Sequence, residues 1–401
     1  MELFNAFKQW AIRPPDERFS SLAEMLAACR GYYDSACQAS VPFDTLKLKA
    51  VGDEVKITGS KDLEANLTFW AFGQIARYAA APAAYVRELP PALAAECLNY
   101  GLQRRPPSSA LVELLFHKQA NEHGQLTLPT AAAIAPNPLV LRALTSEKYT
   151  RIWNWEVIER LLPMQEQGWR VPPARPSYMG QPGVRLATED DVLDDQGFSL
   201  SVNIGDPIAP AGLYASAHDM FAFLINEKNR INDGTDQGLS RGVFFENSEV
   251  GDKALRCTTF LYRHVCGNHI VWDASNVIKL SIRHIGKARE KFSDFILDLK
   301  KYANAGASRD EAKIKKAKTR RIAATKEDVL NKLFKLLNQN ISLEQLDAAF
   351  DLAEGHDRID GDPHSFWGMA QGITRLSQQT PHADTRTRLD RSAGKVLKIA
   401  F

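Results

Sequence analysis

The run FLYRHVCGNHIVW, residues 260–272, sets Arg263, His264, Cys266, Asn268 and His269 into a short apolar stretch. Imidazole and thiolate are metal ligands, and a thiolate beside an imidazole is a nucleophile with its base. Either chemistry requires the groups to converge. In an extended strand, residues two apart share a face, so His264 and Cys266 project together while Arg263 and Val265 point the other way. A zinc or iron site would draw further ligands from His218, Asp219 or Cys257, yet the spacing matches no zinc pattern. Cysteine in an apolar strand is more often a small buried hydrophobe than a nucleophile.

Adding the nearby carboxylates gives a candidate catalytic set of His218, Asp219, Glu246, Glu249, His264 and His269. Such groups bind a divalent cation or perform acid–base work, here on nucleic acid or nucleotides. No cofactor is required outside that reading, and no residue is assigned as a metal ligand. A second acidic-histidine cluster, GHDRIDGDPHSF at 355–366, departs from the calcium-loop pattern and reads as a loop. The chain has no GxxxxGK[ST], GxGxxG, HExxH or GxSxG motif, which argues against ATP-driven motor activity and Rossmann redox chemistry.

Charge supplies a different lead. The net charge is +2, but residues 279–326 hold fifteen Lys and Arg against five Asp and Glu. That block is +10 and leaves the remainder of the chain at −8. A basic block of this size fits a polyanionic partner, most simply nucleic acid; the plainer reading is a solvated helix face. The candidate phosphate contacts are Lys287, Arg289, Lys313, Lys315, Lys316, Lys318, Arg320 and Arg321. Arg241, Arg263 and Arg283 would meet the strand along a neighbouring sheet, between aromatics such as Phe221, Phe223, Phe244, Phe245 and Tyr262 on which bases can stack. An ordinary half-solvated antiparallel sheet is the alternative.

These residues need elements to position them. Residues 198–284 alternate β-branched and aromatic residues between short polar turns, which predicts an antiparallel meander. Apolar spacing at Ile285, Ala288, Phe292, Phe295, Ile296 and Leu299 predicts a helix within 277–302. The last hundred residues read as helical, with N-cap boxes at Thr325-x-x-Asp328 and Ser342-x-x-Gln345. Toward the N-terminus, residues 16–39 carry helical spacing, and 45–58 read as a hairpin around Val51-Gly52-Asp53. Three short helices follow, punctuated by Pro82 and Pro90-Pro91. Pro and Gly crowd 168–183, which reads as a linker.

The fold class expected is α+β: an antiparallel β-meander core between a helical N-terminal region and a helical C-terminal region. Its divisions are 1–105 (helical with a small hairpin), 106–185 (mixed, with the linker), 186–305 (sheet and following helix) and 306–401 (basic, then amphipathic helices). At 401 residues and 44% hydrophobic content the chain can bury two or three cores. Five scattered cysteines without a CxxC fit reduced thiols. No signal peptide and no apolar run of about 18 residues are present, so a cytoplasmic protein without membrane contact is expected.

Long segments also carry a resemblance. TFWAFGQIARYAAAPAAYVRELPPALAAECLNYGL, LVLRALTSEKYTRIWNWEVIERLLP, GLYASAHDMFAFLIN, LSRGVFFENSEVG, TTFLYRHVCGNHIVW and FWGMAQGITRLSQ resemble the phage/plasmid-like protein family, a domain of unknown function. The likeness runs from about residue 60 to the C-terminus. It implies residence on a phage, prophage or plasmid and assigns no activity. A meander followed by a basic helix is also similar, in architecture alone, to phage single-strand-annealing proteins. The expectation that follows is an oligomeric protein that binds single-stranded DNA in recombination or replication. The rivals are the metal-dependent enzyme above and a protein-binding antagonist of host defence.

Overall fold

In the computed structural model the described residues are 17–19, 21–59, 63–104, 111–117, 139–171, 185–186, 204–205, 207–208, 212–235, 238–263, 268–270, 279–337, 340–355, 361–379 and 383–400. They form an α+β protein built on an eight-stranded and a six-stranded sheet, a small two-stranded ladder and a C-terminal helical bundle.

The chain opens with β1 (Arg18–Phe19) and α1 (Leu22–Asp34), whose N-cap Ser21 accepts from the Glu24 amide. The helical spacing read across 16–39 gives way early. Ala36–Pro42 is a strand, β2, because it pairs along its length with a partner some seventy-five residues away in the chain. Next come β3 (Lys47–Val51) and β4 (Glu54–Thr58), the hairpin expected around Gly52, whose φ of 58° suits a tight turn. β5 (Glu64–Leu67), α2 (Phe69–Tyr78), α3 (Ala83–Arg87), α4 (Pro91–Arg104), β6 (Leu111–His117) and β7 (Leu139–Ser146) follow.

These strands make a six-stranded sheet in the order β2-β6-β7-β5-β4-β3, with β5 and β7 parallel. A boundary drawn at 105/106 runs through that sheet. The N-terminal region is therefore more than helices and a hairpin. LVELLFH and LVLRALTS are buried on both faces, against α2–α4 on one side and Trp153 and Val250 on the other, so they show no alternation. At the outer strand, the Asn99 side chain on α4 accepts from the Leu48 amide and donates to its carbonyl, both at 2.8 Å. That contact occupies part of an edge otherwise open to another strand.

The second half begins with α5 (Asn154–Leu161), β8 (Trp169–Arg170), β9 (Arg185–Leu186) and β10 (Pro207–Ile208). The meander consists of β11 (Leu213–Ala215), β12 (Asp219–Ile231), β13 (Leu239–Ser248), β14 (Leu255–Arg263) and β15 (Asn268–Ile270), joined in sequence by antiparallel pairing. β16 (Lys279–Ile282) pairs with β14. Residues 172–184, 187–203 and 264–267 lie outside the described residues, and with them most of the expected linker, His264 and Cys266. The start of that linker is instead β8, whose Trp169–Arg170 pairs with β12 and buries Trp169 in the core.

One face of the meander carries Met220, Ala222, Leu224, Val243, Phe245, Leu255 and Cys257. It packs on α1, α5 and α6 (Ala288–Ala303) through Phe292, Phe295, Leu299 and Tyr302. α6 starts eleven residues after the predicted segment begins, because Lys279–Ile282 joins the sheet instead. The opposite face holds a second apolar cluster of Phe221, Phe223, Ile225, Phe260 and Tyr262.

The remainder is helical: α7 (Ser308–Thr319), α8 (Lys326–Leu336), α9 (Leu343–Glu354), α10 (Phe366–Gln379) and α11 (Ala383–Ile399). Both predicted caps form, with Thr325 accepting from the Asp328 amide and Ser342 exchanging bonds with Gln345. This bundle shares one core with Ile231, Leu239 and Leu261 of the sheet. No described helix is long and apolar enough to cross a membrane.

Candidate nucleic-acid interface

The sheet candidates separate sharply once placed. Arg241 is buried in the core of the molecule and does not reach a wet face. Its guanidinium pairs with Asp310 at 3.1 Å and donates to the carbonyls of Ala305 and Gly306. Its register explains this: Arg241 shares the face of Val243 and Phe245, which the following helices cover. Arg263 and His269 belong to β14 and β15 by backbone pairing, and their side chains lie outside what is described. Arg283 is exposed just past β16.

The expected stacking platform is likewise covered. Phe221, Phe223, Phe245 and Tyr262 are buried, and Phe244 is half-buried in a stack between Phe221 and Phe223. A Cβ on Gly242 would sit 2.3 Å from the Phe260 ring, so that ring lies flat over the strand instead of meeting solvent. Alternation in β12 and β13 was readable, but not that both faces would be packed.

Among the described residues the acid and histidine candidates His218, Asp219, Glu246 and Glu249 do not assemble into an open cleft. Asp219 accepts from the Ser216 hydroxyl at 3.1 Å, and His218 is half-buried in the same turn. Glu246 pairs with Arg256 at 3.1 Å. Glu249 is buried: one carboxylate oxygen meets Arg142 at 2.6 Å, and the other accepts from the Asn154 amide at 2.8 Å. Burial pushes its carboxyl up, against the pull of Arg142. Arg151 donates to the Glu249 carbonyl, and Asn247 bonds the Asn154 side chain at 2.9 Å. Beside them His284 stacks flat on Tyr149, and the Ile152 amide donates to its Nδ1. Burial, reinforced by Arg151, pushes the His284 imidazole down to about 4. This network joins β7 of the first sheet to the end of β13 in the second. It leaves Arg142 Nε and Nη1, Arg151 Nε, Asn247 Oδ1 and His284 Nε2 buried without a hydrogen-bond partner among the described residues. Among the described residues no group of three or more His, Cys, Asp or Glu is placed to hold a metal ion.

The basic helix survives as a surface. On α7, Asp310, Ile314 and Ala317 are buried at spacings of four and three residues. The helix is thereby held with Arg309, Lys315, Lys316 and Arg320 outward and Lys313 half-buried at the margin. Arg309, Lys313, Lys316 and Arg320 make one row along the axis. Lys318 is turned inward, its ammonium on the Asp233 carbonyl and over the Trp367 ring, so it is a clamp. Arg320 is tied at one end to the Ala400 carbonyl, and Arg321 stands beside Asp362. Arg309 was missed at the sequence level. Its place in the row follows only once the buried stripe at 310, 314 and 317 is known.

The α6 candidates are weaker. Lys287 sits beside Glu290, and Arg289 pairs with Glu156 while donating to the Arg151 carbonyl. From the block 279–326, Arg289, Arg321 and Lys326 meet acids that lie outside it, and α7 carries its densest run of exposed cations.

No family model matches the chain, no curated protein matches it, and no solved structure matches it.

Proposed function

We propose that this chain is a nucleic-acid-binding protein that holds DNA on the outward face of α7. The observation that carries this reading is the row Arg309, Lys313, Lys316 and Arg320, with Lys315 beside it, on a helix fixed by the buried Arg241–Asp310 pair. Cations presented on a rigid element lose less freedom on meeting phosphates than the same residues on a loop, and each neutralised phosphate releases counterions. Binding would accordingly be governed by backbone charge more than by base identity.

The sequence reading named single-stranded DNA and a stacking sheet. With Phe221, Phe223 and Tyr262 buried, support for the sheet half of that reading falls away, and the helix half remains. The setting, recombination or replication on a phage or plasmid by an oligomer in the cytoplasm, rests on the resemblance of the motifs quoted above. The direct test is binding of labelled DNA by the full chain over a salt series, with K315Q/K316Q as the comparison variant.

A further inference from the structure

A second basic row lies outside the charged block at 279–326. On α11, Leu389, Ala393, Val396 and Leu397 are buried in the bundle core. Arg388, Arg391, Lys395 and Lys398 are exposed. Their spacing of three, four and three residues is one helix face. The row approaches that of α7, since Arg320 Nη1 donates to the Ala400 carbonyl at 2.6 Å, two residues beyond Lys398. α10 lies between α11 and α9. On α9 the exposed residues at the same spacing are Glu344, Asp347, Asp351 and Glu354. The bundle is therefore two-sided in charge, basic along α7 and α11 and acidic along α9.

We propose that α7 and α11 form one surface for double-stranded DNA, an inference that rests on the nucleic-acid reading above and specifies its partner. Three observations favour a duplex over a single strand. Single strands are held chiefly by stacking of bases on exposed aromatics. Among the described residues the exposed aromatics Tyr33, Tyr85 and Tyr100 lie on α1, α3 and α4, away from either row. Each row rises about 15 Å along its helix, and a duplex strand sets a phosphate every 3.4 Å or so of axis, so four cations face about four phosphates. Finally, the α9 row stays net negative although Lys326 pairs with its Asp347 and Asp351, at 2.8 and 2.5 Å, and it repels phosphate, which orients a stiff duplex onto the opposite side of the bundle.

The test uses the full chain, a labelled short duplex and one of its strands, followed by fluorescence anisotropy across a salt series. Two variants are compared, R391Q/K395Q/K398Q on α11 and K315Q/K316Q on α7, with thermal melting to confirm that both fold. The expected result is tighter binding of the duplex than of the strand. The α11 variant should bind duplex about tenfold more weakly and flatten the log–log salt dependence by about 3, one step for each lost phosphate contact. Wild-type duplex affinity in the α11 variant, with weakened binding in the α7 variant, overturns the two-row surface and leaves the nucleic-acid reading standing. Tighter binding of the single strand overturns the choice of partner. Failure of the wild type to bind either DNA sinks the underlying reading itself. Light scattering supplies the remaining outcome: if the α11 variant changes oligomeric state without changing DNA affinity, the row serves the acidic α9 of a second copy, and the proposal is wrong.

Discussion

Arg241 on β13 and Asp310 in the first turn of α7 form an ion pair 3.1 Å long, with their side chains 1% and 0% exposed. Asp310 belongs to the charged block and Arg241 does not, so the pair removes one acid from the solvent side of α7 and locks the helix to the sheet. Losing one partner of a buried pair leaves an uncompensated charge, at a cost of about 3–5 kcal/mol. Asp310→Ala is expected to lower unfolding free energy in urea by that amount. The double replacement Arg241→Met with Asp310→Leu should recover much of it, because no charge is then stranded. Equal losses in the single and double variants would refute the locking role.

His284 gives the fold a pH dependence whose sign can be worked out. Its imidazole is held down to about 4 by burial first and by Arg151 second, against an ordinary value near 6.5. The unfolded chain therefore binds the proton more readily than the folded one between these values. Stability from this group is present above about 6.5 and is lost as pH falls toward 4, by up to about 3 kcal/mol. Urea unfolding between these pH values should show stability rising with pH, and His284→Gln should flatten that rise. An unchanged slope in the variant would assign the effect elsewhere.

Gly372 sets how closely α10 lies on α9. A Cβ there would stand 2.0 Å from the Ala349 carbonyl oxygen, a backbone atom that cannot swing aside. Gly372→Ala is expected to force the helices apart and destabilise the chain by about 1–3 kcal/mol, as overpacking of a core does. Thermal unfolding checks this, and a variant as stable as the parent would show that the helices do not approach so closely.

Much of the fold was legible because it is local. Short polar turns between β-branched runs gave the meander β11–β15, and Thr325 and Ser342 announced α8 and α9 through their caps. What escaped depends on partners distant in sequence. β2 reads as the tail of a helix until its pairing with β6 is known, and β6 and β7 lack alternation because both faces are covered. The candidate site divides in the same way. Lys313, Lys315, Lys316 and Arg320 were found from charge alone, since surface cations need no partner to be recognised. Arg241 and Lys318 were read as DNA contacts and Glu249 as a catalytic carboxylate, and all three turn inward, because residue type cannot report burial. The row Arg388, Arg391, Lys395 and Lys398 was present in the spacing of TRTRLDRSAGKVLKIAF, hidden by acids and small residues interleaved on other faces of the helix.

The central claim is that α7 neutralises DNA phosphates, and the salt dependence of affinity tests it most directly. For the full chain, log affinity for DNA should fall linearly with log salt concentration, with a slope near −4 or steeper from the α7 row alone, at about 0.9 per phosphate contact. K315Q/K316Q should bind more weakly and reduce that slope by about 2 while melting like the parent. Affinity that ignores salt, or a variant with the parent's slope, would contradict the account.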